Sequence, residues 1–280
     1  MVKTITSING RLVDKVQARI SVFDNALLYA EGLFETFLAV DDEPVFAREH
    51  LARLYRGARV IGLEIPEPRD TIMRWCRKTL RAHPDRIKKL RLTLTAGESG
   101  RWLGRQGRPQ IILSAAPHRV PTEPFRLLVS DFRVDHHSEF RQIKTLSYAI
   151  HAAALKQAHK MDYDDALLLN QRGNVAEVTS ANVFWVENGR IYTPPLEAGC
   201  LEGVTRKIVL RQAAQLGLTI TGKRCSLARL LQAPEVLISS SLKLVLPVGE
   251  IRVGRRRYRF KPGPAAALLS AHFRRQVGID

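Results

Sequence analysis

The chain has 280 residues, 45% of them hydrophobic and 25% charged, proportions that exclude extended disorder. Its formal charge of +17 is unusual and points to anionic partners, either nucleic acid or small anionic molecules. No apolar run approaches the ~18 residues that cross a bilayer. Three cysteines without a CxxC pair argue against a disulfide framework and a zinc site. A reduced, cytoplasmic location is expected, and the opening MVKTITSINGRLV lacks the apolar core of a signal peptide.

Residues 2–8 alternate and meet Asn9-Gly10, a hairpin signal. Residues 33–40 read as a second strand, closed by Asp41-Asp42-Glu43. Within 48–61, Leu51, Leu54, Ala58 and Ile61 recur at helical spacing, with Gly62 as terminator. A second helix is predicted over 70–82, stopping before His83-Pro84. In KLRLTLTAG, 89–97, Leu90, Leu92 and Leu94 take one face and Arg91, Thr93 and Thr95 the other, as in a half-buried strand. After the glycine-containing loop 97–108 comes a strand at 110–115. The proline-rich stretch 116–124 reads as a linker between an N-terminal α/β domain, 1–115, and a C-terminal one, 125–280, that carries Lys144. The second half is predicted to hold a strand at 126–130, a helix at 148–160, a buried strand at 166–169 and a turn at 170–173. Paired strands over 175–186 around Asn182, a helix at 203–216, a strand at 234–240 and a C-terminal helix complete it. The pattern is α+β with mixed sheets and flanking helices.

Taken alone, Lys144 in QIKTLSY has the profile of a surface lysine. Glu177 lies in the apolar VAEVTSANVFWV, where a carboxylate needs an edge position or a buried cation. Val175, Glu177 and Thr179 are expected to share a strand face that lines a cavity. Gly203 precedes a helix whose first turn holds Val204 and Thr205; free N–H groups and the helix dipole there suit a phosphate, although glycine before a helix is common. Ser239-Ser240-Ser241 offers hydroxyl donors at a strand end, where serines more often make turns. Arg53 either reaches inward from its helix or lies on a solvated face. His136-His137 lacks zinc-helix spacing, and no GxGxxG, Walker loop or GxSxG is present. In RVGRRRYRF, 252–260, arginines interleave with Tyr258 and Phe260; this is either a nucleic-acid segment or, more often, a hairpin with a solvated basic face.

The order of these items carries a resemblance. FDNALLYAEGLFETF (23–37), HLARL (50–54), IKTLSY (143–148), DDALLLN (164–170), VAEVTSANVFWV (175–186), IYTPPLEAGCLEGVTR (191–206) and SSSLKLVLPV (239–248) resemble, in this sequence, the pyridoxal-phosphate enzymes of fold type IV, the class-IV aminotransferase family. The resemblance implies a two-domain α+β fold like that of D-amino-acid aminotransferases, with pyridoxal 5'-phosphate as cofactor and no metal. It implies that Lys144 carries the cofactor covalently and moves the proton, and that Glu177 pairs with the pyridine nitrogen. It implies that Arg53, the Val204 and Thr205 amides, and Ser241 cradle the phosphate. GLFETF and LRLTLTAGESGR further resemble aminodeoxychorismate lyases, in which a threonine matching Thr36 protonates the departing enolpyruvyl fragment; D-amino-acid enzymes usually have an arginine where Ala96 stands. Ser147 and Tyr148 depart from the pattern beside the lysine. The implied reaction is conversion of 4-amino-4-deoxychorismate to 4-aminobenzoate and pyruvate, a folate-pathway step, with amino transfer on D- or branched-chain amino acids as the alternative. A substrate bearing carboxylates would meet Arg101 or Arg105, and the implied assembly is a homodimer; nucleic acid and membrane are not expected partners.

Overall fold

The computed structural model describes residues 3–100 and 107–279. The chain divides into two compact units, Met1–Arg119 with Ile143–Ser147, and Val120–Gln142 with Tyr148–Asp280.

In the first unit, β1 (Ile5–Ile8) and β2 (Arg11–Val13) form a hairpin. Asn9 and Gly10 both take positive φ, 49° and 78°, as a two-residue type I′ turn demands. Next come α1 (Asn25–Tyr29), β3 (Gly32–Val40), β4 (Glu43–Pro44), α2 (Ala47–Val60), α3 (Arg69–Arg81), β5 (Ile87–Thr95) and β6 (Gln110–Pro117). The carboxylate of Asp24 caps α1, accepting the Ala26 N–H and the Thr95 hydroxyl. Among the described residues six strands form a sheet in the order β2-β1-β6-β5-β3-β4, and every pairing in it is antiparallel. Leu90, Leu92 and Leu94 face the apolar stripes of both helices, packing with Leu51, Leu54, Ala58, Ile72 and Leu80. The stripe read at helical spacing is the one buried.

Among the described residues β4 covers only the Ala39–Val40 end of β3, which leaves the other end of that strand as an edge. Residues 143–147 take it. Phe34 N–H donates to the Lys144 carbonyl at 2.9 Å, Leu146 N–H donates to the Gly32 carbonyl at 3.0 Å, and Leu33 bridges Thr145. The expectation that Lys144 belongs with the C-terminal domain is corrected by this pairing. Backbone hydrogen bonds, not chain order, assign the segment.

The second unit comprises β7 (Phe125–Val134), α4 (Ala149–Lys160), β8 (Asp165–Asn170), β9 (Val175–Val178), β10 (Asn182–Glu187), β11 (Arg190–Thr193) and α5 (Val204–Gln212). It continues with β12 (Ile220–Gly222), α6 (Leu227–Leu230), β13 (Glu235–Ser240), β14 (Leu244–Val253), β15 (Arg256–Arg259) and α7 (Pro264–Gln276). Among the described residues nine strands form a mixed sheet, β12-β11-β10-β13-β14-β7-β8-β9 with β15 beside β14. The β14–β7, β7–β8 and β11–β12 pairs are parallel. All of β8 is buried, because α4 covers one face through Ala154 and Ala158 while the other meets Trp185, Ile238 and Leu246.

Three expectations change here. The predicted 203–216 helix stops at Gln212 and gives way to a separate 3-10 turn at Ala214–Leu216. The break expected around Asn182 lies at 179–181 instead, and Asn182 begins β10. β9 pairs with β8 and β10 with β11 and β13, so the two are not a hairpin, although Val178 bridges Ala181. The basic segment does form a hairpin through Gly254, at φ 57°, with Arg256 and Arg257 exposed and Phe260 buried.

Candidate functional site

In the first unit, Glu35 sits on the core face of β3 between Leu33 and Phe37. His50 and Arg53, three residues apart and so on one face of α2, meet it there. Arg53 donates from Nε to Oε1 at 2.8 Å and from Nη2 to Oε2 at 2.6 Å, and His50 Nδ1 lies 2.6 Å from Oε2. Burial alone would raise the Glu35 pKa, but Arg53 and then His50 outweigh it and hold the carboxyl down at about 2. His50 is pushed below its ordinary value by burial, with Arg53 and Lys144 adding to the effect against Glu35. Of the two positions open to Arg53, the buried one is correct.

The opposite face of β3 carries Phe34 and Thr36. The Lys144 ammonium lies 4.4 Å from the Phe34 ring centroid, and the Arg91 guanidinium lies 3.9 Å from it. Arg91 on β5 is the direct cross-strand partner of Thr36. Lysine and arginine thus lie against one aromatic ring, on the strand face that also carries Thr36. Sequence reasoning put Arg91 on the polar face of its strand but missed this grouping, because strand register was needed to pair it with Thr36.

Glu177 owes its direction to a β-bulge. Val178 pairs with Leu167 and Glu177 with Leu168, but Leu169 pairs with Val175, so β9 carries one extra residue. Val175 and Val178 pack into the core of Leu167 and Leu169, whereas Glu177 lies opposite Leu168 on the α4 side. The expected shared face of Val175, Glu177 and Thr179 is therefore corrected. On the α4 side the carboxylate accepts from His151 Nε2 at 3.0 Å, from Arg141 Nη2, and from the Leu201 N–H at 2.8 Å. Arg141 also donates to the Gly199 carbonyl at 2.9 Å, beside a cavity of about 340 Å³ that it helps to line. Burial pushes the Glu177 pKa up, but the His151 hydrogen bond, Arg141 and the Leu201 amide leave it lowered. Nothing in the sequence around Arg141 or His151 marked them as partners.

The segment read as a phosphate site begins α5 at Val204, with Gly203 at the N-cap and no side-chain cap. Its glycine is required by close approach, since a Cβ there would run into Asn182 Oδ1. Thr205 Oγ1 and Ser239 Oγ are buried and have no hydrogen-bond partner among the described residues. Ser240 makes the turn expected of the serine cluster, its hydroxyl accepting the Lys243 N–H, and Ser241 is partly buried in that turn. Arg101 and Arg105 lie outside the described residues. Thr36, Arg53 and Lys144 belong to the first unit, and Glu177, Val204, Thr205 and Ser241 to the second.

Comparison with known proteins gives one family. The model for amino-transferase class IV matches residues 32–251. A Methanocaldococcus jannaschii relative, 32% identical over 87% of this chain and 86% of its own, carries the provisional name of a branched-chain-amino-acid aminotransferase. The aminodeoxychorismate lyase of Bacillus subtilis is 27% identical over 96% of this chain and 94% of its own. Among solved structures, a branched-chain aminotransferase from Thermoproteus uzoniensis with norvaline superposes with a TM-score of 0.89, at 27% identity, covering 98% of this chain and 95% of its own. The chain belongs to the class IV aminotransferase family, enzymes of fold type IV that work with pyridoxal phosphate.

Proposed function

We propose that this chain is an aminodeoxychorismate lyase that releases pyruvate and leaves 4-aminobenzoate. The observation that carries the proposal is Thr36, a hydroxyl on the same strand face as the Phe34 ring that Lys144 overlies, with Arg91 as its cross-strand partner.

The residues present suit pyridoxal phosphate. Glu177 is a buried anion, complementary to a protonated pyridine nitrogen. Thr205 and Ser239 keep buried hydroxyls without hydrogen-bond partners among the described residues, and the start of α5, which has no side-chain cap, offers N–H groups to a phosphate. Arg53 adds a positive charge anchored by Glu35, and Ser241 adds a hydroxyl at the β13–β14 turn. When bound, the cofactor supplies an electron sink for a carbanion.

The roles follow from the residue chemistry. Lys144 Nζ takes the proton from the ring carbon that bears nitrogen. As the ring becomes aromatic its C–O bond breaks, Thr36 delivers its hydroxyl proton to the methylene carbon of the departing enolpyruvyl group, giving pyruvate, and the proton taken by Lys144 restores the Thr36 hydroxyl. Arg91, a cation beside Thr36, attracts a substrate carboxylate. Val22, Phe23, Leu27 and Leu28 are exposed within one short segment, an apolar surface suited to a second copy of the chain in a homodimer.

The test is purified protein given aminodeoxychorismate, with 4-aminobenzoate read by its fluorescence. Thr36→Val should lower kcat about 10²- to 10⁴-fold. Borohydride trapping and peptide mapping should place the adduct on Lys144. Amino transfer on branched-chain or D-amino acids is the second reading, supported by the larger number of relatives with branched-chain aminotransferase names. It replaces the first if amino acids convert the bound chromophore to its pyridoxamine form and no 4-aminobenzoate is made.

A further inference from the structure

A carboxylate offers about four acceptor sites, two on each oxygen. On Glu177, Oε1 takes Arg141 Nη2 and His151 Nε2, and Oε2 takes the Leu201 N–H. Among the described residues that leaves one lone pair, on Oε2. The donors are unequal. The Arg141 side chain is 18% exposed and lines an open cavity, whereas that of His151 is only 5% exposed. A hydrogen bond away from water is stronger, and its loss leaves a buried charge short of a donor.

The imidazole is held as well as buried. Its ring stacks on Tyr148, 4.1 Å between centroids and 19° between planes, and the Tyr148 hydroxyl donates to the Thr179 carbonyl at 3.3 Å. Tyr148 immediately precedes α4 and His151 lies in its first turn, so one helix start supplies both the donor and the ring that fixes its plane. With Nε2 donating to the carboxylate, the ring carries its proton on that nitrogen when neutral.

We propose that His151 is a positioning residue for Glu177: it holds the carboxylate so that its remaining Oε2 lone pair is directed at the ring nitrogen of the cofactor. The inference rests on the reading that Glu177 pairs with that nitrogen. A histidine that merely filled the core would contribute to stability without regard to the ligand's nitrogen.

A pair of ligands separates these roles. The full chain, stripped of cofactor, is titrated with pyridoxal phosphate and with its deaza analogue, in which carbon replaces the ring nitrogen. His151→Phe keeps a ring to stack on Tyr148 but removes the donor; it should weaken pyridoxal phosphate binding about 10- to 100-fold and the analogue by less than about 3-fold. His151→Asn keeps an N–H donor and should hold both affinities within about 3-fold of the parent. Equal weakening of both ligands by His151→Phe, or no weakening of either, overturns the proposal. If His151→Phe does not fold, Tyr148→Leu, which leaves the donor but removes the stack, should show the same preference for the analogue in smaller degree, and an equal effect on both ligands overturns it. Glu177→Gln is the control: if it fails to discriminate between the ligands, the reading of Glu177 itself falls. If it discriminates and the His151 variants do not, only the present inference falls.

Discussion

Glu35 and Glu177 are both carboxylates on apolar strands, and each is met by one histidine and one arginine. Breaking such a buried pair is costly because the surviving charge is stranded. Arg53→Met should therefore destabilise the protein by about 3–5 kcal/mol in urea unfolding. The pH dependence has a definite sign. Glu35 titrates at about 2 in the folded protein against 4.5 ordinarily, so its contribution is complete above about pH 4.5 and is lost as pH falls toward 2. At 1.36 kcal/mol per unit this amounts to ~3 kcal/mol. The lowered pKa of His50 acts in the same direction, since acid must charge a buried imidazole. Melting temperature should drop steeply below pH 4.5, and Glu35→Gln should flatten that slope. Gly203→Ala is a different kind of test. A Cβ meeting Asn182 Oδ1 should cost about 1–3 kcal/mol, and Asn182→Ala in the same chain should recover part of it.

At the scale of elements, α3 ends on a buried lysine. Lys88, from the neighbouring β5, donates to the Leu80 carbonyl at 3.2 Å in the last turn of the helix and to Asp42 at 3.1 Å. Lys88→Met should cost about 1–3 kcal/mol and speed amide exchange at the end of α3, with exchange in α2 unchanged. The β14–β15 hairpin behaves oppositely. Arg256 and Arg257 are exposed, so reversing both to glutamate should shift stability by no more than about 0.5 kcal/mol each in thermal melts. The alternation of Leu90, Leu92 and Leu94 and the helical stripe from Leu51 to Ala58 were legible because each element buries one face. α1, α6 and β12 are too short to show a period, and the β9 bulge has no sequence signature at all.

At the scale of the molecule, the charge of +17 bears on association more than on fold. Duplex DNA should be retained weakly at about 50 mM salt and released by about 200 mM, as measured by fluorescence anisotropy, because basic residues spread along the whole chain supply the counterion-release part of binding. Salt-resistant, saturable binding would instead make the hairpin arginines a recognition surface. No helix among the described residues is long and apolar enough to cross a membrane.

The sequence by itself determined the family, because motif order from FDNALLYAEGLFETF to SSSLKLVLPV survives in a linear string. It also determined the main strands and helices, whose burial repeats locally along the chain. Only the tertiary structure decided which residues meet. Lys144 joined the first unit through backbone pairing to an unpaired strand edge, and Glu177 turned toward His151 and Arg141 because one extra residue in β9 changed its face. Register, bulges and edge pairing depend on residues far apart in the chain, and no local pattern records them.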